Sequence, residues 1–156
     1  MFGLFGGKKI EVFSPVAGKV IDISAVADEV FSAKMLGDGF AVEPEEDVIY
    51  APCDGKIALV ASTGHAVAVE TNGVEILIHI GIDTVELGGE GFSAFIQEGD
   101  VVRRGDKLIA FDREIVKSHG KALTTMVVLT NMEDKVKKLG KDLEANQGSV
   151  LQAELK

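Results

Sequence analysis

Gly64-His65-Ala66-Val67-Ala68-Val69-Glu70-Thr71-Asn72-Gly73-Val74-Glu75-Ile76-Leu77-Ile78-His79-Ile80 is the stretch on which the reading of this chain turns. β-Branched and small apolar residues fill both flanks, and the Asn72-Gly73 pair between them is a tight-turn signal. The segment reads as a β-hairpin with a histidine near each outer end. Two registers compete. With Asn72-Gly73 alone as the loop, Thr71 pairs with Val74 and His65 falls opposite Ile80, which sends His79 to the other face. With Thr71-Asn72-Gly73 as the loop and Gly73 left-handed in a bulge, Glu70 pairs with Val74 and His65 lies opposite His79. The alternation favours the second register. Ile76, Ile78 and Ile80 go to the core, His79 goes to the outer face, and the two histidine Cβ atoms come within roughly 5 Å.

Outward from this hairpin the chain continues in short strand-like runs: Lys9–Phe13, Lys19–Asp22, Phe40–Glu43, Val48–Ala51, Lys56–Ala61, Lys107–Asp112 and Leu123–Leu129. Turn residues separate them at Gly37-Asp38-Gly39, Gly88-Gly89, Glu98-Gly99-Asp100 and Arg104-Gly105-Asp106. Such short, even spacing predicts an all-β sandwich or barrel rather than a parallel α/β sheet. Ser14-Pro15-Val16-Ala17-Gly18-Lys19-Val20 and Ala51-Pro52-Cys53-Asp54-Gly55-Lys56-Ile57 share a Pro-x-x-Gly-Lys-apolar unit, a turn that feeds a strand. The pair points to internal pseudo-symmetry but is too short to establish a duplication. Helical signals are few. Asp112 is placed to cap a helix through His119, closed by Gly120, and Asn131 another through Leu139, closed by Gly140. The second has Glu133 and Asp134 in its first turn and Lys137 and Lys138 in its last, which suits the helix dipole.

The 156 residues predict one domain over residues 11–156 behind a flexible terminal segment, residues 1–10. Sixteen basic against twenty-five acidic side chains leave a formal charge of −9, which argues against a nucleic-acid partner. A single cysteine, Cys53, rules out an internal disulfide framework and fits a reducing compartment. The apolar residues Phe2, Leu4 and Phe5 are too few to cross a membrane, though with Lys8 and Lys9 they are suited to weak contact with a bilayer surface. A frayed terminus is the simpler expectation.

Of the three histidines, His119 falls in the last turn of its short helix, where any cation is favourable, and is read as a surface residue. His65 and His79 are different only if the register brings them together. Two unrelated, half-exposed histidines are the plain alternative. Facing imidazoles allow one ring to act as a nucleophile while the other donates a hydrogen bond to an incoming phosphate. The same pair is also competent to ligate zinc adventitiously.

His79-Ile80-Gly81-Ile82-Asp83-Thr84-Val85-Glu86-Leu87, continuing to Gly89-Glu90-Gly91-Phe92, closely resembles the phosphorylation-site signature of the glucose-class enzyme IIA domain of the bacterial phosphoenolpyruvate:sugar phosphotransferase system. The likeness spans nearly the whole chain. It takes in Phe31, Lys34 through Gly39, Pro52 with Gly55, Thr63-Gly64-His65-Ala66, Glu98-Gly99-Asp100 and Thr130-Asn131-Met132. Met126 and Leu77 depart from residues common in the family, and neither position carries a reactive group.

The resemblance implies a β-sandwich of the barrel-sandwich hybrid kind, with short, mainly antiparallel strands and a few helical turns. It implies a cytoplasmic phosphocarrier in which His79 accepts a phosphoryl group from the phosphohistidine of HPr and passes it to a cysteine of enzyme IIB. His65 would contact the phosphoryl group and Thr63 would hold the His65 ring. Asp28 and Asp83 would meet arginines of HPr, while Val30, Phe31, Met35 and Leu77 would form an apolar docking collar. No metal or other cofactor is implied, because the donor is already an activated phosphoramidate. Two rivals are weaker. A zinc hydrolase lacks a His-Glu-x-x-His or Cys-x-x-Cys spacing. A lipoyl- or biotin-carrier module is suggested by the repeated Pro-x-x-Gly-Lys turns and by Ala33-Lys34-Met35, which lacks the first methionine. The sugar served is not written in this chain, since the membrane component binds it.

Overall fold

The computed structural model describes residues 8–145 and 147–156. In chain order the strands are β1 Lys9–Phe13, β2 Gly18–Asp22, β3 Asp38–Pro44, β4 Val48–Tyr50, β5 Gly55–Val60, β6 Ala66–Thr71 and β7 Val74–Ile80. They continue as β8 Phe92–Ala94, β9 Val101–Val102, β10 Lys107–Phe111, β11 Thr125–Leu129, β12 Val136–Lys141 and β13 Ser149–Leu155. Three short helices, α1 Glu29–Ser32, α2 Arg113–Ser118 and α3 Met132–Lys135, and two single 3-10 turns, Ile23–Ala25 and Thr84–Leu87, lie between them. The expected all-β sandwich of short strands is what forms. A seven-stranded sheet runs β2-β3-β11-β7-β6-β5-β9, and three-stranded sheets β1-β13-β12 and β4-β10-β8 accompany it. Each strand pairing is antiparallel.

Alternation decides what each face does. Along β7, Val74, Ile76, Ile78 and Ile80 are fully buried while Glu75, Leu77 and His79 are only partly covered. The inward set joins Val67, Val69, Val127, Leu129, Phe40 and Val42 in a core shared with Ile49, Ile109, Val12 and Leu151. Burial of each large apolar side chain stabilises by about 1.5–3 kcal/mol. A second, smaller core lies on the outer face, where Ile23, Val26 and Phe31 cover Ala41, Met126 and Val128. The outer face of the sheet is therefore covered locally by the 23–31 stretch, and His79 stands beside that cover.

The hairpin takes the register that alternation disfavoured. Thr71 pairs with Val74 and Ala66 with His79, so the loop is Asn72-Gly73 alone. Both residues are left-handed, at φ 50° and 84°, as a two-residue type I′ turn requires; its twist matches the strands and leaves no residue for a bulge. The bulge lies instead in β5, between Ile57 and Leu59. Asn131 reinforces the turn from outside, accepting from the Glu75 amide at 2.9 Å and donating to the Gly73 carbonyl at 2.8 Å.

That engagement also bears on the helix expected from Asn131 to Leu139. The Asn131 side chain makes no capping bond, the helix stops at Lys135, and Val136–Lys141 is a strand. The suitable charges lose to tertiary pairing with β13 and to burial of Val136. The Asp112 helix forms as expected, with the carboxylate accepting from the Glu114 and Ile115 amides. The expected terminal segment 1–10 is shorter on its described side, since Lys9 and Ile10 belong to β1; residues 1–7 lie outside the described residues.

The two Pro-x-x-Gly-Lys units embrace each other. The Phe13 amide donates to the Pro52 carbonyl at 2.9 Å and the Tyr50 amide to the Pro15 carbonyl at 2.8 Å. Gly18 and Gly55 each open a strand where a Cβ would lie 2.0 Å from the Glu43 carbonyl oxygen and 2.4 Å from that of Glu70. Glycine is needed there for close approach.

Candidate functional site

His79 sits mid-sheet on the outer face, paired with Ala66 on one side and Met126 on the other. The Phe31 ring packs on its imidazole at 5.2 Å between centroids. Its Nδ1 lies 2.9 Å from the Gly81 carbonyl oxygen, which can only accept. Nδ1 therefore carries the proton of the neutral ring, and Nε2 keeps its lone pair. The turn that presents this carbonyl is tightly held. The buried Thr84 hydroxyl donates to the Ile80 carbonyl, and Gly81 is left-handed at φ 78° with Thr84 Cγ2 2.4 Å from where a Cβ would stand.

His65 reaches the same place by another route. It precedes β6 by one residue, and its carbonyl accepts from the Ile80 amide at 2.8 Å, so it does lie opposite Ile80. Strict alternation would turn its ring away from His79. Outside the ladder, alternation no longer binds: Gly64 is left-handed at φ 74°, and the ring swings to 5.0 Å from that of His79, edge to face. Thr63 Oγ1 is 2.5 Å from His65 Nδ1. The two rings thus meet on one face, as expected, although the loop length from which this was argued is not the one that forms.

Both histidines titrate below the ordinary range. For His79 burial disfavours the cation, while the Gly81 carbonyl and the carboxylates of Asp28 and Asp83 partly restore it. For His65 burial acts first and the neighbouring His79 adds to it. Two neutral imidazoles face each other at neutral pH.

The carboxylates that act on His79 come from two loops. Asp28 caps α1, accepting from the Val30 amide at 2.9 Å. Asp83 is left-handed at φ 60° and makes no capping bond to the turn it opens. Of the expected collar, Val30 and Met35 are exposed, Met35 to 70%, whereas Phe31 is buried in the second core and Leu77 is half-buried against it. Leu36 and Val85 are further exposed apolar side chains outside the expected collar, although both lie within the stretches that carry the family resemblance. His119 pairs with Glu90 at the surface, as its position suggested. Among the described residues no group of three or more His, Cys, Asp or Glu side chains is arranged to hold a metal ion. Lys34, the residue behind the carrier-module rival, is paired with Asp38 at 3.4 Å.

A family model for the phosphoenolpyruvate-dependent sugar phosphotransferase system, EIIA 1, matches residues 10–135, which include both histidines. The chain belongs to this family. It is 44% identical over 136 residues to the PTS system glucose-specific EIIA component of Bacillus cereus, covering 85% of this chain and 82% of that protein. It is 45% identical over 129 residues to the PTS system glucose-specific EIIBCA component of Corynebacterium glutamicum, covering 82% of this chain and 19% of that longer protein. Among solved structures, glucose permease IIA from Mycoplasma capricolum superposes with a TM-score of 0.80 at 37% identity, over 96% of each chain. As an EIIA component the chain is a phosphocarrier of the sugar phosphotransferase system, and its chemistry is phosphotransfer. No helix among the described residues is long and apolar enough to cross a membrane.

Proposed function

We propose that Nε2 of His79 accepts a phosphoryl group from the phosphohistidine of HPr and yields it to a cysteine of enzyme IIB. The observation that carries this reading is the bond from His79 Nδ1 to the Gly81 carbonyl, which leaves Nε2 as the free nucleophile beside a second neutral imidazole. The Nε2 lone pair attacks phosphorus as the donor P–N bond breaks. The donor ring, protonated on its other nitrogen, departs as neutral imidazole. The phosphorylated His79 ring retains its Nδ1 proton and becomes cationic. The Gly81 carbonyl and the carboxylates of Asp28 and Asp83 stabilise that charge.

His65 supplies the other half. With Thr63 Oγ1 donating to its Nδ1, the ring proton resides on Nε2, from which it donates to a phosphoryl oxygen. Among the described residues, the charged groups acting on His79 are the carboxylates of Asp28 and Asp83 rather than a lysine or arginine that would bind the phosphoryl group too firmly for release. In the second step a thiolate of enzyme IIB attacks phosphorus, the P–N bond breaks, and His79 returns neutral. The exchange needs no metal or organic cofactor, because both leaving groups are activated already. The EIIBCA architecture named for the Corynebacterium relative supports an enzyme IIB partner. A cytoplasmic setting follows from these partners and fits the free, buried Cys53.

The test is incubation with enzyme I, HPr and phosphoenolpyruvate, read by intact mass. One added phosphoryl group is expected on the parent protein and none on H79Q. A phosphorylated H79Q protein would overturn the assignment.

A further inference from the structure

Fifteen residues, 23–37, leave the sheet at the end of β2, after Asp22, and rejoin it at Asp38, where β3 begins against Leu129 of β11. They carry Asp28, Val30, Met35 and Leu36 at the rim and lay Phe31 on the His79 ring. The neck of this loop has an electrostatic problem. Asp22 and Asp38 both present carboxylates there, with side chains only 30% and 20% exposed. Two like charges partly removed from water repel strongly.

One ammonium resolves it. Lys141 Nζ, at the end of β12, lies 2.7 Å from Asp22 Oδ1 and 2.6 Å from Asp38 Oδ1, with its own side chain 17% exposed. The remaining oxygens are also engaged. Asp22 Oδ2 accepts from the Ser24 amide and hydroxyl, starting the 3-10 turn, and Asp38 Oδ2 meets Lys34 at 3.4 Å. Burial raises both carboxyls, and the Lys141 bond with the local donors more than reverses it, so both stay below the usual carboxylate range. Lys141 comes from beyond residues 10–135, the part matched by the family model.

We propose that Lys141 is a positioning residue for phosphotransfer, its ammonium holding the neck of the 23–37 loop closed so that Phe31 and the docking rim stay set against His79. The inference rests on reading His79 as the phosphoryl acceptor and this loop as part of the partner surface. Without the ammonium, the two carboxylates drive the neck apart and the loop spends less time in the competent position. Apparent affinity for the partner falls by that fraction, while the rate at saturation is preserved.

Two measurements on the full chain test it. Hydrogen exchange followed by mass spectrometry reports the loop directly, without any phosphotransfer. In K141M, exchange should accelerate in residues 23–37 and nowhere else, and K141R should retain much of the parent's protection. Adding D22N and D38N to K141M should restore part of the protection, because it removes the repulsion that Lys141 offsets. In kinetics with phosphorylated HPr, a loop competent about one-tenth of the time raises KM about tenfold with kcat little changed. Unchanged exchange in 23–37, or acceleration spread evenly over the protein, overturns the clamp. A fall in kcat at unchanged KM overturns its link to docking. If the parent protein accepts no phosphate from HPr, the acceptor reading fails and takes the kinetic consequence with it, while exchange still decides the clamp.

Discussion

His79 and His65 stand side by side but are held in opposite ways. His79 is a ladder residue: its face is set by the alternation of β7, and its proton is fixed by a backbone carbonyl two residues on. His65 lies just outside the ladder, turned by a left-handed glycine and bonded to a threonine hydroxyl. A nucleophile that must present the same nitrogen at each turnover gains from a rigid frame. A ring that must follow a phosphoryl group from one partner to the next gains from a hinge. The difference between the two supports predicts a difference in what each histidine does.

The sharpest break comes from replacing each ring in turn. H79Q should reduce phosphate acceptance to background, since an amide keeps shape and polarity but is a far poorer nucleophile. H65Q should still accept from HPr, because glutamine can donate one hydrogen bond. Onward transfer should slow by about 100-fold, because the glutamine amide cannot keep the imidazole donor's placement as the phosphoryl group moves to the second partner. Rapid-quench measurement of the two half-reactions separates these outcomes. Equal, complete loss of both steps in both variants would erase the proposed division of labour.

A smaller effect is expected at Thr63. T63V preserves shape and removes the hydroxyl that holds His65 Nδ1. A neutral hydrogen bond is worth about 1 kcal/mol, or roughly fivefold in rate. Transfer should fall by about that factor, and nitrogen chemical shifts should show His65 in a mixture of tautomers with His79 unchanged. A parallel change at His79 would mean that the two supports are not independent.

The same contrast explains what was legible in the sequence. The period of β7 assigns Ile76, Ile78 and Ile80 to the core and His79 to the outer face, because burial of one face leaves a period-two trace. The loop length depends on two left-handed residues and on Asn131, far along the chain, so local alternation misjudged it. Phe31, expected in the docking collar, is instead held in the second core with Ile23, Val26 and Met126, contacts that only the fold brings together. β12 carried a helix-like charge pattern, and only its pairing with β13 overrules that. What a residue does within its own strand was readable. What a distant segment imposes on it was not, and the site was recognised through the long histidine signature instead.

Acid should weaken both supports through the histidines. Their folded-state pKa values lie below the ordinary value, so as pH falls below about 6.5 the unfolded chain takes up protons that the folded protein resists. Stability should decline across that range, continuing until the folded pKa values are passed. Asp22 and Asp38 are also lowered, but their contribution is present above the unfolded carboxyl range and lost only in stronger acid. Urea melts at pH 7.5 and 5.5 should show a loss in the parent protein that shrinks in the H65Q, H79Q double variant. The same loss in both would place the acid sensitivity elsewhere.

The smallest effect is expected from the carboxylates that flank His79, and it distinguishes docking from folding. Asparagine can take over the cap at Asp28, where the side chain accepts from the Val30 amide, and it tolerates the left-handed backbone at Asp83. D28N with D83N should therefore leave the melting temperature nearly unchanged. What disappears is negative charge at the rim, and rim charges act mainly on encounter rate. Association with HPr should slow about threefold at low salt and approach the parent as ions screen the advantage that the parent alone possesses. The variant also removes the two carboxylates that partly restore His79 as a cation, so the acid limb of phosphate acceptance should move to lower pH. Stopped-flow association across a salt series, beside melts and a pH profile, reads all three. An unchanged low-salt rate with a lowered melting temperature would assign both aspartates to structure alone.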